Sequence, residues 1–222
     1  MQQKVATRIT AAALVLATCG ALHPQRAEAA VTYSGRAYGA QVTLVNPQPN
    51  VLLFSDTGPL PAAGGSLSAT LVSIAVGVTL QSQTVSASTS GSAGVATSNA
   101  HQQHVVAFSG QAAQLTADVV QADTRVDCSG VQGSSVVTNL TFGGTPVTVS
   151  GQPNQVVTIA NVATLTINEQ IHTAGSTDIT VNALHLHLGT GEDVILSSAH
   201  SDVTCPTATR SSTWGRVKAI YR

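Results

Sequence analysis

The sequence predicts an all-β fold, an antiparallel β-sandwich-like domain with many short strands. Apolar and polar residues alternate along residues 164–168 and 178–183, and a period of two places one set of side chains on each face of a strand. Turn-forming residues, as at 143–144 and 189–191, separate such runs. No long segment repeats its apolar residues with a helical period, which favours strands throughout.

A weak repeat of apolar-Thr-apolar tripeptides leaves one alternative architecture open. The tripeptides begin at Val147, Val157, Leu165 and Ile179. Because a solenoid needs a steadier period than this, we interpret the repeat as a meander of antiparallel strands and keep a β-solenoid as the alternative.

Two further segments test the strand prediction. Residues 82–98 are rich in Ser, Thr, Ala and Gly, a composition that also suits a flexible linker. Their residual alternation favours long strands of small residues within the same domain. The helical prediction is limited to a single turn near residues 110–113.

The composition indicates a folded, weakly charged protein. Hydrophobic residues make up 43% of the chain, enough for a sizeable core, and charged residues only 9%, against roughly a quarter in ordinary domains. Between residues 31 and 209 there are two basic residues, Arg36 and Arg125, and nine acidic ones, a net charge of −7. Such a body argues against nucleic-acid binding, which needs a basic surface.

Residues 1–29 have the pattern of an export signal. Lys4 and Arg8 precede an apolar stretch, and a small-x-small cleavage pattern ends at Ala29. We therefore expect export machinery as a partner, a mature chain that starts at Ala30, and an extracellular, cell-surface or periplasmic location. The apolar stretch is short for a permanent membrane anchor, but cleavage before Cys19 would instead give a lipoprotein.

The predicted domain therefore covers residues 30–209, followed by a basic tail over residues 210–222, with no transmembrane segment in the mature chain. Once Cys19 leaves with the signal, Cys128 and Cys205 remain. An even pair in an exported protein predicts a disulfide, the alternative being two unrelated buried thiols.

Three histidines are the candidate metal ligands. His185 and His187 are two apart, so they share one face of a strand, and His200 on the next strand could supply a third ligand. The apolar parity of the strand switches near Ala183, however, and a β-bulge there would turn His185 and His187 outward. We therefore predict no cofactor and keep metal binding as an alternative.

No catalytic constellation is evident. His101 and His104 are expected in a turn before the next strand, and Glu169 stands without a second carboxylate of the kind that glycoside hydrolysis needs. The chain lacks a Gly-x-Ser-x-Gly elbow and a phosphate-binding glycine loop. The sequence therefore predicts a protein that is not an enzyme.

The tail is a candidate sorting or docking segment. It combines aromatic and basic residues after a Ser/Thr spacer, and the residues concerned are Trp214, Arg216, Lys218, Tyr221 and Arg222. The alternative is a terminal strand that docks on the acidic body.

Several segments together resemble the choice-of-anchor P family of secreted bacterial proteins. They are YSGRAYGA at residues 33–40, SSVVTNLTFGGTPV at 134–147, LTINEQ at 165–170, VNALH at 181–185 and SAHSDVTC at 198–205. The resemblance implies an extracytoplasmic domain of unestablished activity, in which two cysteines at these places are often paired, attached to the envelope by a C-terminal signal. This chain has no LPxTG-like motif and no terminal hydrophobic helix, so its basic tail is the natural candidate for that signal.

Taken together, these features predict a secreted or cell-surface structural or adhesive protein of the bacterial envelope. The rival function is an extracellular ligand- or metal-binding module that uses the strand histidines.

Overall fold

Two antiparallel sheets make up the structure, a computed structural model that describes residues 30–45 and 50–206. In chain order the strands are β1 (Thr32–Leu44), β2 (Asn50–Phe54), β3 (Gly65–Val76), β4 (Leu80–Ser92), β5 (Val95–Ala107), β6 (Leu115–Asp127), β7 (Gly130–Thr138), β8 (Thr141–Phe142), β9 (Thr145–Pro146), β10 (Gln155–Ile159), β11 (Ala163–Ile171), β12 (Asp178–Leu188) and β13 (Asp193–Thr204).

The first and last described strands, β1 and β13, lie in the first sheet, and the strands of the second sheet come between them in the chain. The order of the first sheet is β10-β11-β12-β13-β1-β2, and that of the second is β3-β4-β5-β6-β8-β9, with β7 also pairing β6. Strands β1, β12 and β13 pack across β4 to β7. The predicted β-sandwich is therefore confirmed, and the solenoid alternative is wrong.

Some local expectations need correction. Seven strands are 11–13 residues long, so the strands are longer than predicted because hydroxyl and small side chains continue the alternation. The Ser/Thr-rich segment over 82–98 forms most of β4 and the start of β5, as expected. Residues 147–149 form no strand, and residues 110–113 form turns without a helix.

The interior combines an apolar core with a layer of hydroxyl groups. Leu, Val and Ile side chains from both sheets form the main cluster. Elsewhere the sheets meet through the buried hydroxyls of Thr89, Ser98, Thr124 and Ser201. The Thr89–Ser98 and Thr124–Ser201 pairs are each 2.8 Å apart between oxygens, and Ser201 donates to Ser98 at 3.0 Å. Since buried polar groups are costly unless they are paired, these bonds hold the two sheets in one register.

A line of residues that the strand pairing skips crosses the first sheet, and the set of side chains that faces inward changes at this line. We call this line the seam. In the first sheet Asn168, Ala183, Ser197 and Gly39 are skipped by the strand pairing, and Asn168 and Ser197 have φ values of 53°. On β12 the buried positions change from Val181 to the Leu184, Leu186 and Leu188 series. The expected parity switch is therefore present.

The mechanism of the switch differs from the expected β-bulge. A bulge inserts one extra residue in one strand, whereas here each strand skips one residue and the register continues unchanged on either side of Ala183. The backbone rotates at left-handed residues in the neighbouring strands instead. The consequence is the expected one, because the side chains of His185 and His187 point away from the core.

Candidate functional site

The three predicted metal-ligating histidines do not converge. His185 pairs with Ile195 on the neighbouring strand, whereas His200 pairs with Thr180. Five residues along a strand correspond to roughly 17 Å. His200 instead places its Nδ1 atom 3.0 Å from the hydroxyl of Thr180.

His185 is held between two carboxylates on the outer face of the first sheet. Its Nδ1 lies 2.8 Å from Oε2 of Glu169 on β11, and its Nε2 lies 2.9 Å from Oδ2 of Asp193, the first residue of β13. His187 is more exposed and reaches the same Asp193 oxygen at 3.3 Å. The expectation that Glu169 stands without a second carboxylate is therefore wrong, because folding brings Asp193 to the other side of the same imidazole.

This arrangement favours a doubly protonated imidazole. The hydrogen bonds to Asp193 and Glu169 raise the pKa of His185 to about 10, against the opposing effect of burial. The hydrogen bond from His185 lowers the pKa of Glu169. Burial opposes ionisation of Asp193, but bonds from His185 and His187 still bring the pKa of Asp193 below its ordinary value.

The protonated ring has no lone pair for a metal ion. Both nitrogens of His185 donate to carboxylates, and a metal ligand must present an unprotonated nitrogen. Over the described ranges 30–45 and 50–206, no three or more His, Cys, Asp and Glu side chains are grouped so as to hold a metal ion. The geometry therefore makes this cluster an ionic clasp between β11, β12 and β13.

The clasp continues as a polar chain toward β1. Asn182 donates to Glu169 at 2.6 Å and accepts a hydrogen bond from Ser198 at 2.7 Å. Ser198 is paired with Tyr38 of β1 in the strand register, and burial raises the pKa of the Tyr38 phenol. Sequence reasoning missed Asn182, Ser198 and Tyr38 because their meeting depends on the order of the strands in the sheet.

A second polar site lies on the outer face of the second sheet, where a depression of about 540 Å³ crosses strands β3 to β7. We call it the trough. Its lining residues are Ser66, Ser88, Thr89, Ser90, Thr97, Ser98, Asn99, Asp123, Thr124, Arg125, Gln132, Gly133 and Ser134. None is aromatic or aliphatic, so the trough is lined by hydroxyls, amides, one carboxylate and one guanidinium, together with backbone and the carbon atoms of these polar side chains.

The outward side chains of the trough form two rows across the strands. One row consists of Ser66, Ser90, Thr97, Arg125 and Gln132, each paired with the next. The other consists of Ser88, Asn99, Asp123 and Ser134. Neighbouring strands are about 4.8 Å apart, so each row presents polar groups at a regular short interval.

Hydrogen bonds fix both carboxylate oxygens of Asp123 in the trough. Its two carboxylate oxygens accept hydrogen bonds from Asn99 at 2.6 Å and from Gln121 at 2.7 Å. Arg125 on the same strand is exposed and adds guanidinium donors two residues away. Because Thr89, Ser98 and Thr124 bond one another beneath the floor, the strand spacing of the trough is fixed from below.

The predicted disulfide is present in the structure. Cys128 in the β6–β7 turn is joined to Cys205 just beyond β13, with a Cα–Cα distance of 5.7 Å. The bond links the turn after β6 in the second sheet to the end of β13 in the first, close to the trough residues Arg125 and Gln132.

The remaining predicted sites fall into two groups. His101 and His104 lie within β5, so the expected turn at that point is wrong. The signal segment with Cys19 lies outside the described residues. So does the tail that contains Trp214, Arg216, Lys218, Tyr221 and Arg222.

Comparisons with known proteins indicate no function for this chain. No family model, curated protein or solved structure matches the chain, and the resemblance to the choice-of-anchor P family stays a prediction. Over residues 30–45 and 50–206 the chain contains no helix of the length and hydropathy that would cross a membrane.

Proposed function

We propose that this chain is a non-catalytic, exported adhesive or structural protein of the cell envelope or cell surface, and that it holds its target in the trough of the second sheet. The observation that carries the proposal is the trough itself. A concave polar face across five strands offers many hydrogen-bonding groups in a fixed arrangement, and a few well-placed polar groups determine what a binding site accepts.

The contacts of the histidine cluster support a structural role for it rather than a role as a general base. A general base must accept a proton near the operating pH, whereas the carboxylates of Glu169 and Asp193 keep His185 protonated through their hydrogen bonds. The same bonds supply a structural reason for the cluster, because they tie three strands together.

The disulfide supports an extracytoplasmic location. Bonds of this kind persist in oxidising compartments and are rare in the cytosol. The weakly charged, hydroxyl-rich surface is compatible with such a location, and the signal pattern over residues 1–29 supplies the route.

Binding is tested by cosedimentation of the mature chain, residues 30–222, with insoluble envelope material of the source cells. We expect the unaltered protein to sediment with this material. Most of the double variant Asp123→Asn, Arg125→Gln should stay in the supernatant. The two changes leave the net charge unaltered, so non-specific electrostatic attraction stays the same.

The matched control is the double variant Arg36→Gln, Asp56→Asn. It also removes one cation and one anion, but on the first sheet, where these two side chains form a bidentate pair at 2.8 and 2.7 Å. It should sediment like the unaltered protein. Equal sedimentation of the trough variant and this control, or no sedimentation at all, contradicts adhesion through the trough.

Export is tested separately on the native protein by intact-mass measurement with and without a thiol-alkylating reagent. We expect a chain that begins at Ala30 and gains no alkyl group unless it is first reduced. An unprocessed chain with free Cys128 and Cys205 in the cytosol contradicts this part of the proposal.

A further inference from the structure

We propose that the ligand held in the trough is a neutral saccharide chain that lies across the strands from β3 to β7. This inference rests on the proposed adhesive function and names the chemical class of its target. It is carried by the residue types in the trough, by their arrangement in rows and by the position of its two outer strands at edges of the sheet.

The trough offers donors and acceptors in closely mixed positions. The outward hydroxyls of the two rows both donate and accept, amides of Asn99 and Gln132 do both through different atoms, Asp123 accepts and Arg125 donates. The hydroxyl groups of a sugar ring also both donate and accept, on adjacent carbons. A lining that combines a carboxylate acceptor, a guanidinium donor and hydroxyls of both kinds therefore matches the mixed donors and acceptors of adjacent sugar hydroxyls.

Other ligand classes lack what they need here. A lipid or an apolar peptide side chain needs an apolar pocket, and no lining residue is aliphatic or aromatic. A nucleic acid or another polyanion needs several cations, whereas Arg125 is the one cation among the lining residues of the trough and residues 31–209 have a net charge of −7. The saccharide remains as the class whose chemistry the lining matches.

The ends of the trough indicate that an internal stretch of a longer chain is bound. Ser66 belongs to β3, the edge strand of the sheet, and Ser134 belongs to β7, which pairs β6 on one side. Five adjacent strands span roughly 19 Å between the outer two. Affinity should therefore rise with the length of an oligosaccharide until the trough is filled, and then become constant.

Single contacts in this site are weak. No aromatic ring is available for the apolar face of a sugar to stack on, and exposed hydrogen bonds replace bonds to water with little net gain. We expect a Kd of roughly millimolar for a short oligosaccharide. Several copies that engage one polymer would then bind much more tightly through multivalency.

The experiment uses the cosedimentation assay with three pretreatments of the envelope material. Periodate cleaves the carbon–carbon bond between adjacent hydroxyls of sugars, proteinase removes protein, and nuclease removes nucleic acid. We expect periodate to reduce the sedimented protein about tenfold, and the other two treatments to leave it unchanged. A partial acid hydrolysate of untreated material should shift the amide NMR signals of Asn99, Asp123 and Ser134.

The outcomes separate the two proposals. If binding depends on Asp123 and Arg125 but survives periodate, or is lost with proteinase or nuclease, the adhesive function stands and the saccharide is overturned. If binding does not depend on the trough residues, both proposals fail. Loss with periodate, together with amide shifts confined to the trough, supports the saccharide.

Discussion

The Nε2 atom of His185 lies 2.9 Å from Oδ2 of Asp193, so a side chain near the C-terminal end of β12 is bonded to the residue that begins β13. Glu169 on β11 bonds the other ring nitrogen. One imidazole thus joins three adjacent strands on the outer face of the first sheet, in addition to their backbone hydrogen bonds.

Replacing His185 by Ala should lower the free energy of unfolding by about 1–3 kcal/mol, since hydrogen bonds to charged groups contribute about this much. The change also leaves Glu169 and Asp193 partly buried and near each other without a cation. Urea denaturation with the disulfide intact measures the effect. The matched control is His187→Ala on the same strand, whose side chain is 62% exposed and whose loss should stay within about 0.5 kcal/mol. Equal effects of the two changes would show that the clasp does not stabilise the fold.

The same clasp predicts how stability depends on pH. The pKa of His185 rises from 6.5 to about 10 on folding, so its contribution is complete below pH 6.5 and is lost as the pH rises to about 10. The carboxylates of Glu169 and Asp193 have lowered pKa values, and their contribution is lost only as the pH falls through those lowered values. The free energy of unfolding should be measured by denaturation at several pH values for the unaltered protein and for His185→Gln. Plotted against pH, the two free energies should converge above pH 10. A constant difference between the two curves at alkaline pH contradicts the assigned protonation state.

Part of this clasp could be predicted from the sequence. The turn at residues 189–191 makes β12 and β13 a hairpin, and counting outward from it places His187 opposite Asp193. Glu169 could not be placed in this way, because its contact depends on β11 lying beside β12 and on the seam that changes the facing of both strands at Asn168 and Ala183. The alternation of apolar and polar residues shows that the inward face changes along one strand. It does not show that β11, β12, β13 and β1 all change their inward face at neighbouring positions.

The trough shows the same limit. Its residues come from the polar positions of five strands, and the polar faces themselves follow from alternation. Which polar positions become neighbours depends on the register, for instance on Asn99 pairing with Asp123. The sequence could predict a hydroxyl-rich surface, but not a concave one.

Removing the disulfide should cost much of the stability of the domain. Cys128 and Cys205 are 77 residues apart, and closing a loop of this length stabilises by roughly 4–5 kcal/mol when the effect on the unfolded chain dominates. The double variant Cys128→Ala, Cys205→Ala should show this loss in urea denaturation, and reduction of the unaltered protein should reproduce it. A reducing agent should have no effect on the double variant. A loss well under 1 kcal/mol would mean that the bond adds little to a constraint already imposed by the sheets.

Two acidic residues face each other across β12 and β13, and neutralising one should stabilise the protein. Asp178 pairs directly with Asp202, and like charges opposite one another destabilise a sheet by a few tenths of a kcal/mol to about 1 kcal/mol. Asp202→Asn should therefore raise the midpoint of thermal unfolding at neutral pH and low salt. The gain should shrink in 1 M salt, where the screening length falls to about 3 Å. A gain that is independent of salt would point to a cause other than charge repulsion.

Two glycines of β7 can test how closely this strand packs against β12 of the opposite sheet. A Cβ atom added at Gly133 would lie 2.6 Å from Cγ2 of Val181 and 2.7 Å from Cδ1 of Ile179, both on the opposite sheet, whereas one added at Gly130 meets no heavy atom within 4 Å. Gly133→Ala should therefore destabilise by about 1–3 kcal/mol through overpacking, and Gly130→Ala should change stability little. Because β7 forms one wall of the trough, Gly133→Ala should also weaken envelope binding while Gly130→Ala leaves it intact. If the two variants unfold at the same denaturant concentration, β7 does not pack against β12 as closely as the structure has it.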